Sequence, residues 1–145
     1  MKNINIELVK INNKVINDFE GKEWIIADIE HYGKADINFE KKKYQFIAKN
    51  DLGEIMGVLN LVIEVNLAFI DSLLVGHKYR RMGVGKKLLT KAENIAKENN
   101  CSKIYLETNK GWKAVKFYEK YNYKITGIHE KHILGQDTLI FTKFF

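Results

Sequence analysis

Hydrophobic residues change their spacing several times along the chain, and each change marks an element. Ile4-Asn5-Ile6-Glu7-Leu8-Val9-Lys10-Ile11 carries β-branched residues with partial alternation and predicts a first strand. Asn12-Asn13 is a turn. From Lys14 to about Lys34, apolar Val15, Ile16, Phe19, Trp24, Ile25, Ala27, Ile29 and Tyr32 fit one or two helices. Gly21 is expected to break them, because glycine costs a helix ~1 kcal/mol relative to alanine, and Gly33 to end the second. Tyr44 to Lys49 is a second strand, and Asn50-Asp51-Leu52-Gly53 has the residues of a hairpin turn. Glu54 to Glu64 is a third strand. A turn near Val65-Asn66 leads into the fourth, Leu67 to Val75. Tight turns make these three antiparallel. Val84, Leu88, Leu89, Ala92, Ile95 and Ala96 then recur at helical spacing, predicting a helix from about Gly83 to Asn99.

Ser102 to Thr108 is a fifth strand, reached by a crossover and therefore locally parallel to the fourth. A helix from about Trp112 to Tyr121 follows, with Val115, Phe117 and Tyr118 facing inward. Tyr123 to Ile133 and Thr138 to Phe144 close the chain as a hairpin through Leu134-Gly135-Gln136-Asp137. The order is strand, helices, three strands, helix, strand, helix, two strands. It implies an α/β fold with a mixed, mostly antiparallel central sheet of about seven strands flanked by helices, in a single domain spanning 1–145.

Composition narrows the class without naming a function. The 145 residues are 46% hydrophobic and 29% charged, as in a globular domain with its own core. No apolar run approaches the ~20 residues that span a bilayer, and Met1-Lys2-Asn3-Ile4 opens no signal-peptide core, so a cytoplasmic protein is expected. Cys101 is the only cysteine, which excludes an intrachain disulfide and a cysteine-cluster metal site. The net charge of +6 allows nucleic acid, anionic membrane or a phosphorylated small molecule as partner.

The charge is densest at Arg80-Arg81-Met82-Gly83-Val84-Gly85-Lys86-Lys87, where the fourth strand meets the long helix. A helix start offers free N–H groups and the positive end of its dipole. Gly83 and Gly85 lack a β-carbon, so a ligand can approach the backbone. Together with the four cations, this describes a site for a phosphate-bearing ligand. It is not a P-loop, since Lys87 stands where Ser or Thr would hold magnesium and Arg80 where the first glycine would be. It is not a dinucleotide fingerprint either, since Leu88 occupies the third glycine position.

Arg80-x-x-Gly83-x-Gly85 after Leu73-Leu74-Val75 resembles the acetyl-CoA loop of the GNAT superfamily of N-acetyltransferases. Ala114-x-x-Phe117-Tyr118-Glu119-Lys120-Tyr121-Asn122-Tyr123 resembles a second motif of that family, in its order and at about its spacing. The resemblance covers essentially the whole chain. It implies that the fourth and fifth strands splay, that the pantetheine arm pairs with backbone at Leu73, Leu74 and Val75, and that Arg80, Arg81, Met82, Gly83, Val84, Gly85 and Lys86 wrap the pyrophosphate. The family's asparagine before the second motif falls at Gly111 here; Asn109, two residues earlier, is the candidate to hold CoA in its place. Asn122 stands at the family's glycine and tolerates a left-handed backbone. The helical region from Lys14 to Lys34 would form a wall of the acceptor site.

The implied reaction moves an acetyl group from acetyl-CoA to a primary amine by direct attack in a ternary complex, with no metal. It needs the amine neutral and the thiolate leaving group stabilised. Tyr118 matches the tyrosine that serves as the family's acid; its alternative is an aromatic packed on the sheet. Glu107, in Tyr105-Leu106-Glu107-Thr108, resembles the strand glutamate of some amino-terminal acetyltransferases and is the first candidate base. Its alternative is to order water or pair with a lysine. Asp71 and Glu30 are fallbacks. The Leu-Glu strand leans toward a protein or peptide amine, while polyamines and small amines stay open. His129 and His132, an odd number apart, would face opposite sides of a strand, against a shared metal. His77 and His31 have surface readings. Phe141, Phe144 and Phe145 would suit the edge of a homodimer. The rivals are a CoA-binding or partner-binding module without turnover and, less in keeping with the glycines, a nucleic-acid binder.

Overall fold

A computed structural model describes residues 4–145 of the chain. Two compact units are present, Met1–Asn38 and Phe39–Phe145.

In the first unit, one helix, α1, spans Lys14–Tyr32. The Asn13 side chain caps it by accepting from the Val15 N–H at 2.9 Å, and Gly33 ends it in the left-handed conformation at φ 69°. Gly21 does not break it. A β-carbon there would meet nothing within 4 Å, and a loss of ~1 kcal/mol is small against eighteen favourable neighbours. The expected first strand, Ile4 to Ile11, is also not formed: no ladder among the described residues includes it, and Ile4, Ile6, Leu8 and Ile11 are exposed. Alternation without a partner strand leaves backbone groups to solvent and does not make a strand.

The second unit holds β1 (Lys42–Lys49), β2 (Ile55–Glu64), β3 (Leu67–Val75), α2 (Val84–Glu98), β4 (Lys103–Asn109), α3 (Lys113–Lys120), β5 (Lys124–His129) and β6 (Thr138–Phe144). The sheet order is β1-β2-β3-β4-β6-β5, so the described residues form six strands rather than about seven. Every pair is antiparallel except β3 with β4, as the crossover through α2 requires. Leu59, Leu61 and Ile63 of β2, Ile70 of β3, Leu106 of β4 and Phe141 of β6 share the sheet face covered by Val84, Leu88, Leu89, Ala92 and Ala96 of α2. Each fully buried leucine contributes roughly 2 kcal/mol. No helix among the described residues is long and apolar enough to cross a membrane.

The closing hairpin is shorter than its sequence pattern implies. β5 ends at His129, and a loop of 130–137 with a short 3-10 turn at Ile133–Gly135 joins it to β6. Lys131 and Leu134 both take positive φ there, and Asp137 Oδ1 accepts from the Lys131 N–H at 3.0 Å.

Beneath α2, Lys143 of β6 lies 3.0 and 3.1 Å from the two oxygens of Glu93, with the Tyr123 hydroxyl donating to Oε1 at 3.1 Å. Burial and that carboxylate push the Tyr123 phenol far above its ordinary value. Both charged side chains are largely covered, at 13% and 26% exposure, so removing one strands the other. Glu93→Ala should therefore destabilise the fold by about 3 kcal/mol, a fall of roughly 6–12 °C in Tm for a domain this size. A loss below about 1 kcal/mol in a thermal melt would mean that solvent already screens the pair.

Candidate active site

The site is built where β3 and β4 stop pairing. Their ladder joins Leu67 to Lys103 and runs to Ile70 with Leu106. Beyond it β3 continues through Asp71 to Val75 and β4 through Glu107 to Asn109, with no ladder between them. The change coincides with a bulge in β3. Leu61 faces Ile70 and Asn60 faces Ser72, so Asp71 is an extra residue opposite β2.

Past the bulge, the register decides which backbone groups are free. Gly76 N–H donates to Met56 O at 2.9 Å. Bonded pairs alternate along an antiparallel ladder, so Leu74 and Ser72 direct their N–H and C=O groups to β2. Leu73 and Val75 direct theirs away from it, into the gap toward β4. Of the three residues expected to pair with a ligand arm, two present backbone to the gap. Leu74 instead exposes its side chain on the other sheet face.

At the end of β3 the chain turns through Gly76 and a short 3-10 turn, His77–Tyr79. Tyr79 donates to Glu54 at 2.6 Å, clasping this turn to the β1–β2 hairpin, and that bond with those from Asn50 and Lys78 holds the Glu54 carboxyl below its ordinary value. Arg80 Nε donates to Val75 O at 3.4 Å. Arg81 and Gly83 are both left-handed, at φ 64° and 81°. The loop therefore curls so that α2 begins at Val84 with Gly83 as its cap and no side chain bonding the cap position. Lys87 N–H is the first to reach an acceptor, Gly83 O; the N–H groups of Val84, Gly85 and Lys86 are left open. No acidic residue lies in the first turn of α2, so Arg80, Arg81, Lys86 and Lys87 keep the dipole end positive. Met82 is exposed beside them and Val84 is buried.

The two glycines differ in purpose. Gly83 needs its positive φ, and a β-carbon there would meet nothing. At Gly85 a β-carbon would lie 3.2 and 3.3 Å from the Phe117 ring and 3.6 Å from Val75. Gly85 thus lets α2 press against α3, a reason that local sequence could not show.

Tyr118 of α3 is buried among Phe117, Tyr123 and Phe141, with ring centroids 5.1–5.9 Å away. It makes no side-chain hydrogen bond among the described residues, and burial pushes its phenol up to about 12. Asn109 does not stand free: its Oδ1 accepts from Thr138 at 2.8 Å and its Nδ2 donates to Gln136 at 3.2 Å, tying β4 to the β5–β6 loop. Gly111 follows at φ 83°, and Asn122 takes φ 65°, the left-handed helix end expected of it. Glu107 points to the sheet face opposite Leu106, Phe141 and Tyr118. Asp71, at the bulge, has no bonded partner among the described residues and lines a recess of about 380 Å³ with Lys43, Gln45, Asn60 and Val62. Gln45 donates to Asn60 at 2.8 Å and Asn60 to Ser72 at 2.7 Å along that face. Glu30 lies in α1, in the first unit.

Sequence reasoning missed His129. Its Nε2 lies 3.3 Å from Glu107 Oε1. Nor do His129 and His132 face opposite sides: β5 ends at His129, the chain turns, and the two rings stack at 5.0 Å and 26°. Strand parity fails because His132 is not in the strand. No group of three or more His, Cys, Asp or Glu among the described residues is placed to hold a metal ion. Cys101 is buried, and burial raises its thiol above the ordinary value.

A gap between parallel strands, opening at their carboxyl ends beside a basic helix start, is the kind of arrangement that suits an extended, phosphate-bearing ligand. The sequence matches the acetyltransferase (GNAT) family over residues 11–123, and the chain belongs to that family. It is 26% identical over 136 residues to streptothricin acetyltransferase A of Bacillus subtilis (strain 168), covering 93% of this chain and 69% of that protein. An acetyltransferase from Bacillus cereus ATCC 14579 shares the fold at a TM-score of 0.73, with 24% identity over 96% of this chain and 98% of that one. A protein of Bacillus anthracis str. Ames, described as a candidate streptothricin acetyltransferase and solved with acetyl coenzyme A, is 32% identical at a TM-score of 0.66, covering 71% of this chain and 63% of that one.

The contrast between the glycines can be measured. Gly85→Ala and Gly83→Ala should each cost about 1–2 kcal/mol, the first by crowding and the second by left-handed strain. In a Phe117→Leu background the Gly85→Ala cost should largely vanish while the Gly83→Ala cost persists. Equal costs in both backgrounds, read from denaturant melts, would refute the packing role.

Proposed function

We infer that this chain transfers an acetyl group from acetyl-CoA to a primary amine, and that the acceptor is a small molecule of the streptothricin class. The observation that carries the reading is the backbone edge of Leu73 and Val75, turned away from β2 with the Val75 carbonyl met by Arg80 Nε at 3.4 Å, leading to an open, uncompensated helix start at Val84 to Lys86. A pantetheine amide arm and a pyrophosphate need those two features in that order. Arg80 and Arg81, with Met82 and Gly83 shaping the turn, would flank the phosphates. Asn109 is held by Thr138 and Gln136 and would act by fixing the loop mouth, with one N–H left to offer.

The acceptor class is supported by the two streptothricin acetyltransferase relatives above 25% identity. The unpaired Asp71 in its recess supports it too, as a counter-charge for a cationic acceptor. The lean toward a peptide amine rests on the Leu106-Glu107 strand alone.

An alkylamine near pKa ~10.4 is almost wholly protonated at pH 7, and freeing its nitrogen costs about 4–5 kcal/mol. A carboxylate on one sheet face and a phenol on the other suit direct attack: in this reading the amine would lose its proton on the Glu107 side and sulfur would leave on the Tyr118 side. A phenol at about 12 stays protonated at every physiological pH. Against a thiol near ~8.5 it serves best as a hydrogen-bond donor to the sulfur as charge develops.

Calorimetry with acetyl-CoA should show selective micromolar binding, lost in Gly83→Glu, with ATP and NAD binding far more weakly; equal binding of all three would overturn the reading. With streptothricin as acceptor, Tyr118→Phe should lower kcat about 10- to 100-fold while the Kd for acetyl-CoA holds. Undiminished turnover would leave Tyr118 a packing residue. A non-catalytic CoA-binding module would bind acetyl-CoA and release no thiol with any amine.

A further inference from the structure

The Glu107 carboxylate shares its face of the sheet with an imidazole. Glu107 Oε1 and His129 Nε2 are 3.3 Å apart, with the side chains 38% and 45% exposed. A specific irregularity aims the histidine there. β5 pairs Ile125 with Phe141 but Gly127 with Ile140, so Thr126 is an extra residue. A one-residue slip turns every later side chain to the opposite face. In unbroken register His129 would join Phe141 on the helix-covered face. With the bulge it joins Ile140, the cross-strand neighbour of Glu107. Thr126 and Thr142 hydroxyls, 2.7 Å apart, pin the irregularity. His132 then folds back to stack on the His129 ring and limits its rotation. Glu107 is the first residue of β4 beyond its last pair with β3, so the two groups stand at the edge of the gap.

Resting on the acetyltransferase reading above, we propose that His129 is the base that takes the acceptor's proton, with Glu107 orienting its ring. Basicity favours this division. From an alkylammonium near ~10.4, a proton moves uphill by about six pK units to an ordinary carboxylate and by about four to an ordinary imidazole. Glu107 Oε1, 3.3 Å from His129 Nε2, fixes which ring nitrogen faces the carboxylate. With Nε2 turned to Glu107, the ring's lone pair is on Nδ1. An N–H bond of the ammonium breaks, its proton goes to Nδ1, and the electron pair stays on nitrogen. That pair forms the C–N bond at the thioester carbonyl, and the C–S bond breaks with its electrons leaving on sulfur. The second proton shed as the amide forms balances the one that sulfur takes up. The first passes from His129 to water.

The test follows thiol release from acetyl-CoA with streptothricin as acceptor, in wild type, His129→Gln and His129→Gly. In His129→Gln, kcat should fall about 100-fold or more, while KM for streptothricin, Kd for acetyl-CoA and Tm stay within error. Added imidazole should restore His129→Gly at least ~10-fold, in proportion to its free-base concentration. Near-native kcat in His129→Gln would overturn the proposal. So would a loss that imidazole does not repair and that tracks a lowered Tm, since that is the mark of a structural role. If wild type neither binds acetyl-CoA nor releases thiol, the acetyltransferase reading falls and this assignment with it. If wild type turns over and both variants do too, only His129 falls.

Discussion

The parting of β3 from β4 is the constraint on which the rest of the site depends. Backbone N–H and C=O groups demand partners, and a sheet normally supplies them. Here the parallel ladder ends at Ile70 and Leu106 while both strands run on. The extra residue at Asp71 re-sets β3 against β2, so that Leu73 and Val75 turn their polar groups into the gap. The same strand then delivers the chain to a loop in which Arg81 and Gly83 hold left-handed conformations and leave the first N–H groups of α2 open. Two sets of donors and acceptors turned away from the sheet and helix ladders, in line, suit an extended ligand with amides at one end and phosphates at the other. Stability is secured elsewhere, in the apolar face under α2 and in the covered Glu93–Lys143–Tyr123 cluster.

The sheet also separates the two ends of the chemistry. Leu106 and Phe141 place Tyr118 on the helix-covered face, while Glu107 and, through the bulge at Thr126, His129 occupy the other. In the proposed reading, the gap that joins the faces would let proton removal and leaving-group stabilisation act on one carbonyl from the two sides of the sheet. Two small backbone irregularities, at Asp71 and Thr126, set these faces.

Much of this was legible in the chain, because local rules governed it. The apolar spacing from Val84 to Ala96, the turn residues at Asn50 to Gly53 and the crossover into Lys103 each specify their own geometry, and the basic glycine loop marks the open start of α2. What stayed hidden was non-local. Ile4 to Ile11 alternates like a strand but has no partner strand. Gly21 is absorbed by a long helix. Gly85 is explained by a ring thirty-two positions away, and Asn109 by Thr138 and Gln136. His129 reaches Glu107 only because a bulge inverts its side, and no parity rule applied to the sequence could anticipate that inserted residue.

The most direct measurement is residue-resolved amide hydrogen exchange across β3, with and without saturating acetyl-CoA. The account predicts that Leu74 is protected in both states by β2. Leu73 and Val75 should exchange freely alone and at least ~10-fold more slowly with ligand. Protection of Leu73 and Val75 without ligand, or no change at either when acetyl-CoA binds, would contradict the claim that the parted strands form the binding edge.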